Sequence, residues 1–342
     1  MLTPAGAPAG RGNAVTVHRI ARGLAARGVD PRVWDLSATA EAELLAGLVA
    51  ERPQLIHAFH AFRAGPLGRE AARRLAVPLV VTLTGTDANH DLVADERAGA
   101  VARVLTAAAA ITVFHRSITA RVAAALPEIV PRVTEIPQAV AFTRTDPVDL
   151  DAHWTLPADR LLVLFPGGIR GVKNPRLALR GLEPVAARHP RVRLAFAGPL
   201  LEPDESEALL DALRPRPWAR HLGVVPHTQM ASLLGHADVV VNSSVSEGGM
   251  ANAVLEALAL GRAVLASAIE GNRSLVEHDV TGLLFSDQDE LTAQAERLVT
   301  DPDLRARLGA AGRARVERDY PPAREIDGYV DLYRALGALP PP

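Results

Sequence analysis

VNSSVSEGGMANAVLEALALG, residues 241–261, passes from a short apolar run through a serine- and glycine-rich turn into a helical pattern that stops at Gly261. The run 239–242 is too short for a helix and rich in β-branched valine, so it is predicted as a strand. A buried strand, a loop and a helix in that order make half of a βαβ unit, whose strands lie parallel. The turn carries Ser243, Ser244, Ser246, Glu247, Gly248 and Gly249. N–H groups at a helix start, flanked by glycines, form a concavity suited to an anion. Glu256 lies within the helix among Val254, Leu255, Ala257 and Leu258. Its place fits either a solvated helix face or a carboxylate that grips a ribose diol through two hydrogen bonds.

Upstream, FPGGIRGVKNP, residues 165–175, repeats the strand-then-turn order. Gly167 and Gly168 let the backbone approach a ligand, and Arg170 and Lys173 reach the same loop mouth. Two cations over a glycine turn suit a diphosphate. Lys173 is the single lysine among 37 basic residues, the other 36 being arginine. A lysine kept against that background suggests a position where a compact ammonium works and a planar guanidinium does not, although one lysine must fall somewhere.

Further outward, apolar runs at 31–36, 55–59, 79–83, 110–114 and 133–137, then at 161–165, 193–197, 239–242 and 263–266, alternate with helical patterns. This alternation predicts an α/β protein with parallel sheets. At 342 residues two domains are expected. Residues 143–160 carry charges, two prolines and no apolar period, so the boundary is placed near Thr145. The expected division is 1–144, 145–322, and a C-terminal helix with tail at 323–342, whose apolar face holds Ile326, Tyr329, Val330, Leu332 and Tyr333. Only Met1-Leu2-Thr3 precedes the first glycine-rich loop, so the first strand is stunted or the start lies upstream.

In the first half, Gly10-Arg11-Gly12 followed by Asn13 imitates a dinucleotide fingerprint, with Val15 where a small residue is required. A glycine turn capped by Asn13 is the simpler account. Gly85, Thr86 and Asp87 follow an apolar strand directly, where ligands of open α/β sheets bind. Asp87 is a candidate to hold a hydroxyl or act as a base, and equally a helix cap. His57 and His60 have a metal-like spacing without a third ligand nearby, so no metal is expected.

Composition narrows the function classes. A net charge of −2 disfavours nucleic-acid binding, which draws its affinity from neutralised phosphates. Absence of cysteine removes disulfides and thiolate metal sites. No apolar stretch nears the ~20 residues that span a bilayer, and a soluble cytoplasmic protein is expected.

At GNAVTVHRIARGLAARG, HAFRAG, TGTD, GIRGVKNP, AGP (197–199), HLGVVP, ADVVVNSSVSEGG, LEALALGRAVLAS and EGNRSLVEHDVTGLLF, in that order, the chain resembles the family 4 retaining glycosyltransferases. Within them it is most similar to the glycosyltransferase 1 domain-containing type. The resemblance implies a GT-B fold of two facing Rossmann-like domains, with a C-terminal helix crossing back to the first. It implies transfer of a sugar, of hexosyl type, from a UDP or GDP sugar to an unidentified acceptor, with no cofactor and no divalent metal. Arg170 and Lys173 would neutralise the donor diphosphate. Glu247 would contact the donor sugar or its phosphate, helped by backbone N–H groups of Gly248, Gly249, Met250, Ala251 and Asn252. Glu256 would hold the ribose, Val224 and its neighbours would face the base, and Gly12, Asn13, Gly168 and Gly198 would complete the binding loops. Three departures stand out: eight residues rather than seven separate Glu247 from Glu256, Thr84 takes the place of a histidine, and Gly168 that of an arginine, with Arg170 nearby. The competing assignments are a sugar-nucleotide-binding protein without catalysis and a dinucleotide oxidoreductase.

Overall fold

The apolar runs fold into two parallel six-stranded sheets, one in each of two units, which three further short strands complete. A computed structural model describes residues 1–4, 12–142, 145–247 and 249–341. Unit 1 comprises Met1–Ala139 with Tyr320–Pro342, and unit 2 comprises Val140–Asp319.

Unit 1 contains β1 (Leu2–Thr3), β2 (Trp34–Asp35), β3 (Ile56–Phe59), β4 (Leu79–Leu83), β5 (Ala110–Val113) and β6 (Val133–Glu135). Their order is β2-β1-β3-β4-β5-β6. The two residues of β1 are wholly buried, and Leu2 pairs with Trp34 on one side and Ala58 on the other. The run 31–36 pairs only at Trp34–Asp35: β2 is an edge strand, and Pro31 has no N–H to give a ladder. Strand alternation sends Leu79, Val81 and Leu83 to one core face and Val80 to the other.

The second face is covered by two helices, Gly12–Ala25 and Pro322–Ala335. Ile326, Tyr329, Val330 and Tyr333 of the C-terminal helix are buried against Val17, Ile20 and Leu24. The helices approach so closely that a Cβ on Gly23 would lie 2.3 Å from Ile326 Cδ1. A bidentate ion pair, Arg19 Nε to Glu325 Oε2 at 2.9 Å and Nη2 to Oε1 at 2.7 Å, is buried between them. Tyr333 Oη and His57 Nδ1 are hydrogen-bonded at 2.6 Å, and His57 Nε2 continues to Thr82 Oγ1 at 2.6 Å. Burial, with a smaller contribution from the N-terminal ammonium, pushes the His57 pKa well below its ordinary value, so it is neutral there.

Unit 2 contains β7 (Leu161–Pro166), β8 (Val192–Ala197), β9 (Ala219–His221), β10 (Val239–Asn242), β11 (Ala263–Ser267) and β12 (Leu283–Phe285), in the order β12-β11-β10-β7-β8-β9. Strands β10 and β11 are buried throughout and β7 nearly so, as expected of a parallel sheet covered on both faces. The chain winds outward from β7 through β8 to β9, then from β10 in the opposite direction. The loops after β7 and β10 therefore emerge at a topological switch point, where open α/β sheets bind ligands.

Candidate active site

The switch point of unit 2 brings the two glycine-rich segments together. After β7 the chain turns through Gly167 and Gly168, then makes one short helical turn, Gly171–Lys173. Ile169 N donates to Pro199 O at 2.8 Å, and Gly171 N donates to Glu202 Oε2 at 2.7 Å, tying this loop to the one after β8. Gly198 permits that approach: its φ is +153°, and a Cβ there would sit 2.3 Å from Gly167 O. Gly198 N in turn donates to Gly223 O at 2.9 Å, which carries the linkage to the loop after β9, where Val224 is exposed.

The loop after β10 packs on the other side. Val245 N donates to Val172 O at 2.9 Å, and Ser243 Oγ donates to Asn174 O at 2.8 Å. Lys173 Nζ is ion-paired with Glu247 Oε1. Ser244 Oγ at 2.6 Å and Asn242 Nδ2 at 3.2 Å donate to the same oxygen. Burial pushes the Glu247 carboxyl upward, but the Lys173 charge and the hydrogen bonds from Lys173, Ser244 and Asn242 outweigh it and hold its pKa below the usual carboxylate value. Gly271 passes beneath, where a Cβ would lie 2.6 Å from Glu247 Cβ. Asn272, wholly buried, donates to Asn242 Oδ1 at 3.2 Å and to Ser267 O at 3.0 Å, bracing the end of β10.

Arg170 differs from Lys173. Its Nε is buried without a hydrogen-bond partner among the described residues, and no carboxylate there pairs with its guanidinium. The loop mouth thus holds one compensated and one uncompensated cation. Met250 and Ala251 are buried, and Gly249 turns the chain at φ +110° into the helix Asn252–Ala259. Ala251, at the cap, gives no side-chain hydrogen bond, so its side chain satisfies none of the first-turn N–H groups. Four residues into that helix, Glu256 is mostly buried and its Oε1 is hydrogen-bonded to His227 Nε2 at 2.9 Å. Gly248 lies outside the described residues.

Unit 1 treats its predicted site residues separately. Asn13 Nδ2 donates to Thr84 Oγ1 at 3.1 Å, joining the helix that starts at Gly12 to the loop after β4. Gly10 and Arg11 lie outside the described residues. Asp87 is not presented to a ligand, as the hydroxyl-grip or base expectation required: it has no exposed surface, and its carboxylate accepts main-chain N–H groups. Thr84 N at 3.0 Å, Gly85 N at 2.7 Å and Ala88 N at 3.1 Å donate to Oδ1, and Ala61 N at 2.9 Å donates to Oδ2. It braces two loops against each other. His60 hydrogen-bonds Thr86 Oγ1 at 2.8 Å, while His57 turns to Tyr333. Among the described residues no group of three or more His, Asp or Glu side chains gathers as metal ligands, and no helix is long and apolar enough to cross a membrane.

His227 and Asn272 carry no motif of their own in the sequence that marks them as site residues. His227 directly follows the HLGVVP segment and Asn272 lies within EGNRSLVEHDVTGLLF, so position within a matched segment was the available signal.

Comparison with known proteins follows the same residues. Residues 149–315 match the family model described as glycosyl transferases group 1. The chain is 28% identical over 263 residues to glycosyltransferase 1 domain-containing protein 1 of Xenopus tropicalis, covering 75% of this chain and 76% of that one. It is 29% identical over 290 residues to a D-inositol 3-phosphate glycosyltransferase of Streptomyces scabiei, covering 77% of this chain and 64% of the relative's length. Among solved structures, Anabaena HepE in complex with UDP-glucose superimposes with a TM-score of 0.80 at 18% identity, over 98% of both chains. A sucrose-phosphate synthase from Thermosynechococcus elongatus does so with a TM-score of 0.76 at 21% identity, over 96% of this chain and 94% of that one. Both likenesses concern the fold.

Proposed function

We propose, from the premise that the chain is a GT-B glycosyltransferase with a group 1 domain over residues 149–315, that it transfers a hexosyl group from a nucleoside-diphosphate sugar to an acceptor with retention of configuration and without a divalent metal. The observation that carries this is the pair of cations at the switch point: Lys173, compensated by Glu247, beside the uncompensated Arg170. Departure of a nucleoside diphosphate leaves negative charge on the β-phosphate. Fixed cations and helix-start N–H dipoles stabilise such charge without reorganising, which is where most electrostatic catalysis resides. Arg170 approaches the diphosphate first, and Lys173 divides its charge between Glu247 and the leaving oxygen as that bond breaks. The family 4 resemblance supports retention, by attack on the face from which the leaving group departs.

Glu256 takes the ribose hydroxyls, and Val224 with its neighbours faces the base. UDP is favoured over GDP because the Anabaena protein whose fold matches was solved with UDP-glucose. Catalysis-free binding is the second assignment, supported by Thr84 in place of the family's histidine.

Thermal stabilisation by UDP, GDP, ADP and their sugars selects the donor, because a ligand bound only by the folded state raises its stability. Release of free nucleoside diphosphate from the selected donor, scored against an acceptor panel, then separates transfer from binding alone. Stabilisation by NAD(P) with none by any nucleoside diphosphate would overturn the proposal.

A further inference from the structure

We infer that His227 is a positioning residue for the ribose site: it locks one oxygen of Glu256 so that the carboxylate is already aimed at the donor's diol. This rests on the role proposed above for Glu256. His227 Nε2 is hydrogen-bonded to Glu256 Oε1 at 2.9 Å, while among the described residues Oε2 accepts no hydrogen bond. An ionised carboxylate has about four acceptor positions. One goes to the imidazole, and Oε2 with the second lone pair of Oε1 remains for two hydroxyls.

The imidazole is itself held from several sides. His227 is the first residue of the helix His227–His236, and its ring lies near-parallel to Phe142, with centroids 6.3 Å apart and 21° between planes. The helix is pinned by Asp146 N donating to Thr228 O at 2.8 Å in its first turn and Val148 N donating to Ser232 Oγ at 3.0 Å further along. A glutamate that must be ordered when its ligand arrives loses rotamer freedom at that moment, which weakens binding. Here the imidazole imposes the order during folding. The carboxylate is tied through His227 and its helix to Phe142, Asp146 and Val148, a connection its own helix does not provide.

The test is calorimetric binding of UDP and of 2′,3′-dideoxy-UDP to the wild type, His227→Phe, His227→Gln and Glu256→Ala. Phenylalanine keeps the ring over Phe142 and removes the donor, whereas glutamine keeps an N–H donor. His227→Phe is expected to bind UDP up to about tenfold more weakly, because the Glu256 carboxylate must then be ordered as the nucleotide arrives. Its affinity for the dideoxy nucleotide is expected to stay unchanged. His227→Gln should recover most of the UDP affinity. A His227→Phe variant that discriminates the two nucleotides as well as the wild type, or that loses affinity for both equally, overturns the inference. Failure of the underlying assignment looks different: the wild type and Glu256→Ala would then fail to distinguish ribose from dideoxyribose, and the inference falls with it.

Discussion

Lys173 and Glu247 form an ion pair in which one carboxylate oxygen is shared by three donors: Lys173 Nζ, Ser244 Oγ at 2.6 Å and Asn242 Nδ2 at 3.2 Å. The ammonium meets this oxygen as a point charge. A guanidinium favours a planar, two-oxygen approach to a carboxylate and fits less readily onto one oxygen already shared by two other donors.

Lys173→Arg is therefore expected to lower kcat/KM substantially while leaving the fold intact. Lys173→Ala should do more harm, because it takes the ammonium away from the buried Glu247 carboxylate, a loss on the order of 3 kcal/mol. Urea denaturation of Lys173→Ala, Glu247→Ala and the double variant checks this: the double variant should be more stable than the sum of the single losses implies. Strict additivity would show that the pair is not coupled.

Acid should expose the same pair. Glu247 has a folded-state pKa below its ordinary value, so its contribution to stability is complete above the unfolded-state value near 4.5 and is lost as pH falls through the depressed folded value. Between about pH 6 and pH 3, the wild type is expected to lose more unfolding free energy than Glu247→Gln, which lacks this proton linkage. Parallel stability-versus-pH curves for the two proteins would contradict the assignment.

Gly198 holds the loops after β7 and β8 in contact, at a φ of +153° and with a prospective Cβ 2.3 Å from Gly167 O. A backbone carbonyl cannot swing aside as a side chain can. Gly198→Ala is expected to cost about 2–3 kcal/mol in stability and to weaken nucleoside-diphosphate binding, since strain at such a position must be relieved by moving the loop. Gly235→Ala is the matched control: nothing lies within 4 Å of its prospective Cβ and it sits inside a helix, so it should be neutral or stabilising by up to about 1 kcal/mol. Equal stabilities in the two variants would remove Gly198 from the loop architecture.

Strands β4 and β10 were read at their observed bounds because a buried parallel strand is a continuous apolar run bounded by turn residues. Strands β9 and β12 leave no such mark in the sequence. Each has three residues and lies at a sheet edge, too short to show any period. The glycine loops were legible for the same local reason as the strands they follow. What those loops meet was not: Lys173 and Glu247 lie 74 residues apart, and only the adjacency of β7 and β10 makes them partners. The uncompensated charge of Arg170 and the clamp of His227 on Glu256 likewise depend on packing between distant segments.

Asp87 shows how one local signature serves two purposes. An acid two residues past a glycine at a strand's carboxyl end fits a catalytic base and a loop brace equally well, and burial separates them. With no exposed surface and main-chain donors from Thr84, Gly85, Ala88 and Ala61, the carboxylate is committed to the loops after β3 and β4. Asp87→Asn keeps the shape but turns an amide N–H₂ toward N–H donors, leaving buried donors unsatisfied at a cost of about 1–3 kcal/mol. The variant is expected to unfold at lower urea concentration and to turn over more slowly, with a pH–rate profile of unchanged shape, the behaviour of a loop brace and not of a base. A variant as stable as the wild type whose rate falls a thousandfold, or whose profile loses a limb, would return Asp87 to the chemistry.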